Sequence, residues 1–115
     1  MKTSPSPSPP ATALLEQTLR KIPLAAAMHI SVRAYDGDRL VLAAPLAPNV
    51  NDKGCAFGGS LASLLTLAGW GLILLKLEAQ RIDCDIYVQD STIRYVAPLW
   101  GDLEAHAAVA DGEPP

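Results

Sequence analysis

The chain has 115 residues, room for at most one domain, and half of them are hydrophobic. Only 5% are aromatic, so the core is aliphatic, and a core this small is commonly completed by oligomerisation. The formal charge of −3 at pH 7 argues against the basic footprint of a nucleic-acid-binding protein.

The two cysteines, Cys55 and Cys84, form no Cys-x-x-Cys pair and no cluster with the two histidines, so no metal or cofactor site is expected. Residues 1–11 read as a disordered Pro/Ser tail without the apolar stretch of a signal peptide. With reduced thiols, this points to a cytoplasmic setting.

Ala11 to Lys21 is predicted as a helix, because Leu14, Leu15, Thr18, Leu19 and Ile22 recur at helical spacing and Pro23 follows as a stop. Met28 to Tyr35 alternates, with Met28, Ile30 and Val32 against His29, Ser31 and Arg33, as a strand does. Asp36-Gly37-Asp38 is a turn and Arg39 to Pro45 the returning strand, which together predict a hairpin. Leu46 to Phe57 is loop. A helix hydrophobic almost all round runs from about Gly59 to Ala79, and Gly69 and Gly71 inside it call for a tight packing partner. Ile82 to Ala97 reads as a long strand ended by Pro98, and Leu99 to Ala110 as another, broken at Gly101. One helix wrapped by an antiparallel sheet accounts for the missing polar stripe and gives an α+β class. Ser60 to Leu77 is nearly long enough to span a membrane, but Ser60, Ser63 and Thr66 interrupt it and the flanks carry no charge bias. A soluble protein without membrane contact is the reading.

The most informative stretch runs from Asn49 to Ser60, an amide-rich loop that passes through Gly58-Gly59 into the apolar helix. Paired glycines admit a ligand or another backbone at close range. The helix start presents N–H groups that suit an oxyanion or a polarised carbonyl. A greasy helix with such a start fits acyl chemistry better than phosphate chemistry.

Asn51-Asp-Lys-Gly-Cys-Ala-Phe-Gly-Gly resembles the hot-dog-fold thioesterase signature, in which an Asn precedes a His-Gly-Gly that opens the central helix. Ile93-Arg-Tyr-Val-Ala-Pro-Leu-Trp-Gly-Asp-Leu resembles the strand-Pro-strand junction that follows that helix. Over roughly residues 12 to 112 the chain is most similar to the thioesterase domain of the YiiD C-terminal type. The resemblance implies a hot-dog fold, an antiparallel sheet wrapped around one long central helix. It also implies an acyl thioester of coenzyme A or acyl carrier protein as substrate, and a homodimer or larger assembly. Residues 12–115 are then the thioesterase-like domain, read as C-terminally incomplete because the last strands of a full hot-dog sheet are not in the sequence. Two positions depart from the pattern: Phe57 stands where many members have His, and Thr66 where several have the helix carboxylate that works as base or nucleophile.

On that resemblance the Gly59 N–H, with that of Gly58, would polarise the thioester carbonyl. Asn51 would orient a water or the thioester, and Asp52 is the candidate general base, since Phe57 cannot accept a proton. Ser60, Ser63 and Thr66 fall on or near one helical face and would bind a water or the acyl head, or else bond back to helix carbonyls. Phe57 joins them in the substrate site, and Lys53 and Arg94 would meet the phosphates of coenzyme A. Each has a plainer alternative: close packing for the glycines, turn formation for Asn51 and Asp52, and surface ion pairs for Lys53 and Arg94. Cys55 reads as a small buried thiol. The functional reading is an acyl-thioester hydrolase. The alternative, favoured by the missing His and carboxylate, is a non-catalytic hot-dog module that binds acyl ligands or serves in assembly.

Overall fold

A computed structural model describes residues 9–82 and 97–109. The strand expected from Ile82 to Ala97 lies outside them except for its two end residues, and so does Arg94.

Helix α1 spans Pro9–Arg20 and starts two residues before the expected Ala11. Prolines are tolerated there because first-turn N–H groups have no helical acceptor. Pro23 does not simply stop the chain. It opens a second helix, α2, Pro23–Met28, as the first helical residue, and the run Leu24-Ala-Ala-Ala-Met28 consists of strong helix formers. His29 ends α2 in the left-handed conformation, φ 60°, with its N–H bonded to the Ala26 carbonyl at 3.1 Å. The strand expected from Met28 therefore begins only at Ser31.

Strands β1 (Ser31–Tyr35) and β2 (Arg39–Ala44) form the expected antiparallel hairpin, with a shift in register between Val32 and Ala34. Two side chains hold the turn: Asp36 Oδ1 accepts from the N–H groups of Asp38 (2.9 Å) and Arg39 (2.8 Å), and Lys76 Nζ of the long helix that follows donates to the Gly37 carbonyl (2.9 Å) and to Asp38 Oδ1 (3.1 Å). Gly37 supplies the positive φ, 101°, that this turn needs. Strand β3, Leu103–Ala108, pairs antiparallel with the other edge of β2, so the sheet order is β1-β2-β3.

Helix α3, Gly58–Ala79, crosses β2 and β3 and also meets α1. Its buried stripe of Leu64, Ala68, Leu72 and Leu75 packs with Leu40 and Leu42 of β2 and Leu103 and Ala105 of β3. Each fully buried leucine contributes about 1.5–3 kcal/mol. Gly71 has the tight partner that its sequence called for. A Cβ built there would sit 3.0 Å from Leu40 Cδ2 and 3.2 Å from both methyls of Leu15. Gly69 has none among the described residues, with nothing of theirs within 4 Å of its added Cβ. The described residues cover one face of α3 and leave Leu65 and Ile73 almost half exposed on the other. By length and composition alone α3 could cross a membrane; in this fold its buried stripe lies on the sheet.

Candidate functional site

The loop before α3 is built around Asn51. A short 3-10 turn, Ala47–Asn49, leads into a bridge between Val50 and Ala56. Across this neck Asn51 Oδ1 accepts from the N–H groups of Lys53 (2.8 Å) and Cys55 (3.2 Å), and its Nδ2 donates to Cys55 Sγ at 3.2 Å. Gly54, at φ 89°, completes the turn. The Asn51 side chain thus serves its own loop. Asp52 and Lys53 are exposed on the loop and pair with each other at 3.3 Å, a contact of small worth in water.

The chain then re-enters the fold through two backbone bonds, Ala56 N–H to the Leu99 carbonyl (2.8 Å) and Phe57 N–H to the Asn49 carbonyl (2.7 Å). Phe57 is the residue preceding α3 and gives it no side-chain cap. The Phe57 carbonyl takes the Leu61 N–H at 3.1 Å. The N–H groups of Gly59 and Ser60, inside the first turn, have no acceptor among the described residues.

A cavity of about 310 Å³ opens at this helix start. Leu24, Ala27 and Met28 of α2 form one wall; Asn49, Phe57, Gly59, Ser60 and Ser63 form much of the other. A second cavity, of about 330 Å³, continues between α2 and α3, where Ile22 and Ala25 face Thr66 and Leu67. Leu24, Met28 and Ser63 border both. The result is an apolar groove with Asn49, Ser60 and Ser63 at the helix start and Thr66 farther along it.

The groove brings together Phe57, Gly59, Ser60, Ser63 and Thr66. Gly58, Asn51, Asp52 and Lys53 do not line it. The nearest neighbour of Gly59 is the Phe57 ring: a Cβ on Gly59 would lie 2.5 Å from ring Cε2. That ring is 54% exposed and free to swing. No His, Cys, Asp or Glu among the described residues lines the groove. His29 is exposed at the end of α2. His106, Glu104 and Arg33 meet on an exposed part of the sheet, with His106 Nε2 2.8 Å and Arg33 Nε 3.1 Å from the carboxylate. The His106 hydrogen bond, with Arg33 adding to it, holds the Glu104 carboxyl below the usual carboxylate range.

Sequence reasoning treated Asn49 only as a loop residue. It is 1% exposed, and its Nδ2 donates to the carbonyls of Met28 (3.0 Å) and Pro45 (2.8 Å), which ties α2 to the loop. Its Oδ1 is buried and has no partner among the described residues. Leaving such an acceptor without a donor costs about 1–3 kcal/mol. No local signal separates Asn49 from Asn51 in the sequence. The distinction arises only because α2 closes over the former.

A long central helix on an antiparallel sheet, with a groove at the helix start, defines the hot-dog class of thioesterase-like α+β domains. Within that class, residues 11–114 match the family described as "Putative thioesterase (yiiD_Cterm)", and the chain belongs to it. Among solved structures, a protein of unknown function from Chlorobaculum tepidum TLS is 37% identical, with a TM-score of 0.85 over 88% of this chain and 63% of that one. A putative thioesterase from Shewanella oneidensis is 33% identical, with a TM-score of 0.84 over 88% of this chain and 75% of that one. A protein of unknown function from Pseudomonas aeruginosa, described as a probable thioesterase, shares the fold at 23% identity and a TM-score of 0.72, over 93% of this chain and 70% of that one. The chain thus spans less than two thirds of the length of the Chlorobaculum protein.

Proposed function

We propose that the chain binds an acyl thioester in the α2–α3 groove and hydrolyses it. The observation that carries this reading is the groove itself, an apolar trough that meets, at the α3 start, the N–H groups of Gly59 and Ser60, which have no acceptor among the described residues. The acyl chain lies along Ile22, Ala25 and Leu67. The thioester carbonyl faces the α3 start, with Ser60 and Ser63 beside it, and Thr66 lies farther along the groove. One preorganised donor of this kind is worth about 2.7–4 kcal/mol to acyl transfer. Asn51 acts in this reading by shaping the loop. Asp52 is exposed, pairs with Lys53 and is not among the residues lining the groove, and it enters this reading only as a loop charge.

The carrier is coenzyme A or acyl carrier protein, both anionic, which Lys53 and Arg94 suit by charge. A homodimer is supported by the apolar face of α3 around Leu65, Gly69 and Ile73. A cytoplasmic setting is supported by Cys55, which is buried as a free thiol.

A second reading, a non-catalytic module that holds acyl ligands, is favoured by the absence of a titratable side chain from the groove wall among the described residues. Thiol release from acyl-thioesters of graded chain length separates the two. Saturable release above the enzyme-free rate supports the hydrolase. Binding without release supports the module, and neither binding nor release at any chain length overturns both.

A further inference from the structure

A third cavity, of about 340 Å³, adjoins α2 through Ala25, Ala26 and His29. Leu19 and Ile30 give it an apolar floor, and Arg20 and His29 are its polar residues. Both are exposed. Neither has an acidic partner among the described residues, whereas Arg33, Lys53 and Lys76 each pair with a carboxylate. Glu16, one turn before Arg20 on α1, gives its carboxylate to the Val32 N–H at 3.3 Å instead. In a chain of net charge −3, such an arginine and a histidine on one cavity wall suit an anion carried on an apolar stem. The guanidinium fork matches phosphate oxygens in both charge and geometry. The cavity also lies next to the acyl groove. Ala26 borders it, and the next residue, Ala27, borders the cavity at the α3 start. Both alanines are exposed, so the outer side of α2 carries only methyl groups at this crossing.

We propose that Arg20 and His29 bind the phosphate of the pantetheine arm, the group that coenzyme A and acyl carrier protein share, while the arm crosses α2 at Ala26 and Ala27. This rests on the thioesterase reading above. The two ends of the substrate then run in different directions from the α3 start. The acyl chain follows Ile22 and Leu67, and the carrier leaves over α2. The arm has the reach for this. From sulfur to phosphorus it extends about 16 Å, and a helix is about 10 Å across even with larger side chains. The two methyl groups that the arm carries next to its phosphate meet Leu19 and Ile30 on the cavity floor. Lys53, paired with Asp52 at 3.3 Å, lines neither cavity.

Calorimetric titration of the full chain with phosphopantetheine and with pantetheine, which lacks the phosphate, tests this. The phosphorylated ligand should bind about ten- to hundredfold more tightly, the worth of charge-assisted hydrogen bonds. Arg20→Gln should bring that ratio close to one, and Arg20→Lys should restore part of it. His29→Asn should also lower it; Asn is chosen because it tolerates the left-handed backbone at this position. A ratio of affinities is unaffected by an inactive fraction, so a weakened variant still reports. Equal affinity for the two ligands in the wild type, or a ratio that Arg20→Gln leaves unchanged, overturns the proposal. The same titrations with coenzyme A and with holo-acyl carrier protein separate the sources: the carrier whose affinity falls about tenfold in Arg20→Gln is the one held here. Phosphate-dependent binding through Arg20 in a chain that hydrolyses no acyl thioester keeps this site and overturns the hydrolase reading. Hydrolysis whose KM is unchanged in Arg20→Gln for both carriers overturns the site and keeps that reading.

Discussion

Gly71→Ala and Gly69→Ala make a matched pair, because the same methyl is added to the same helix two residues apart. The helix-propensity gain is common to both, about 0.8–1.0 kcal/mol. At Gly69 the methyl meets nothing within 4 Å among the described residues, so that gain should stand and leave the variant more stable than the parent. At Gly71 it lands 3.0 Å from Leu40 Cδ2 and 3.2 Å from Leu15 Cδ1 and Cδ2, and both leucines are 0% exposed. Both leucines are enclosed by the core, and overpacking of this kind costs about 1–3 kcal/mol. The difference between the variants cancels propensity and isolates packing. It should be about 1–3 kcal/mol in favour of Gly69→Ala, roughly 4–12 °C in Tm for a domain of this size. Urea and thermal melts at one protein concentration measure it, since an oligomer's apparent stability depends on concentration. A Gly71→Ala variant as stable as Gly69→Ala refutes the close packing of α3 on Leu15 and Leu40.

Gly59→Val should stay folded, because the Phe57 ring it displaces is exposed, yet lose acyl-ligand binding as valine and ring crowd the groove. Calorimetry of ligand binding beside a melt checks this, and a folded variant that binds as the parent does moves the site elsewhere. Asp36 bears on acid stability. Hydrogen bonds from the Asp38 and Arg39 N–H groups hold its carboxyl below the usual carboxylate range. Its contribution is therefore fully present above the unfolded-state pKa and is lost as pH falls through the lowered folded value. Asp36→Ala should lower Tm at neutral pH and converge with the parent in strong acid; a gap that persists in acid contradicts this. On the open face of α3, Leu65→Glu should shift sedimentation from dimer to monomer at micromolar concentration, and an unchanged dimer places the interface on another surface.

The elements that depend on local pattern were legible in the sequence. The apolar run after Gly58-Gly59 is α3, and Asp36-Gly37-Asp38 is the turn of the β1–β2 hairpin. Helix α2 was not, because Pro23 serves both as a stop for α1 and as the first residue of the next helix, and only packing shows which role it takes. The same ambiguity hid the left-handed end at His29 and delayed β1 to Ser31. Ser60, Ser63 and Thr66 were placed on one face by helical spacing, and they do border one groove. The opposite wall comes from α2, so neither the groove nor the burial of Asn49 could be read from the α3 sequence. The loop amides illustrate the limit: Asn51 bonds within its own turn, whereas Asn49, two residues earlier, points to carbonyls of Met28 and Pro45.

The claim that an acyl thioester occupies the α2–α3 groove is tested most directly by NMR titration with a non-hydrolysable thioether analogue of an acyl-coenzyme A. This measures occupancy whether or not turnover follows. Saturable amide shifts are expected, concentrated at Ala25, Met28, Gly59, Ser60, Ser63 and Thr66. Shifts confined to the Arg33–Glu104–His106 patch of the sheet, or no shifts with any chain length, contradict it.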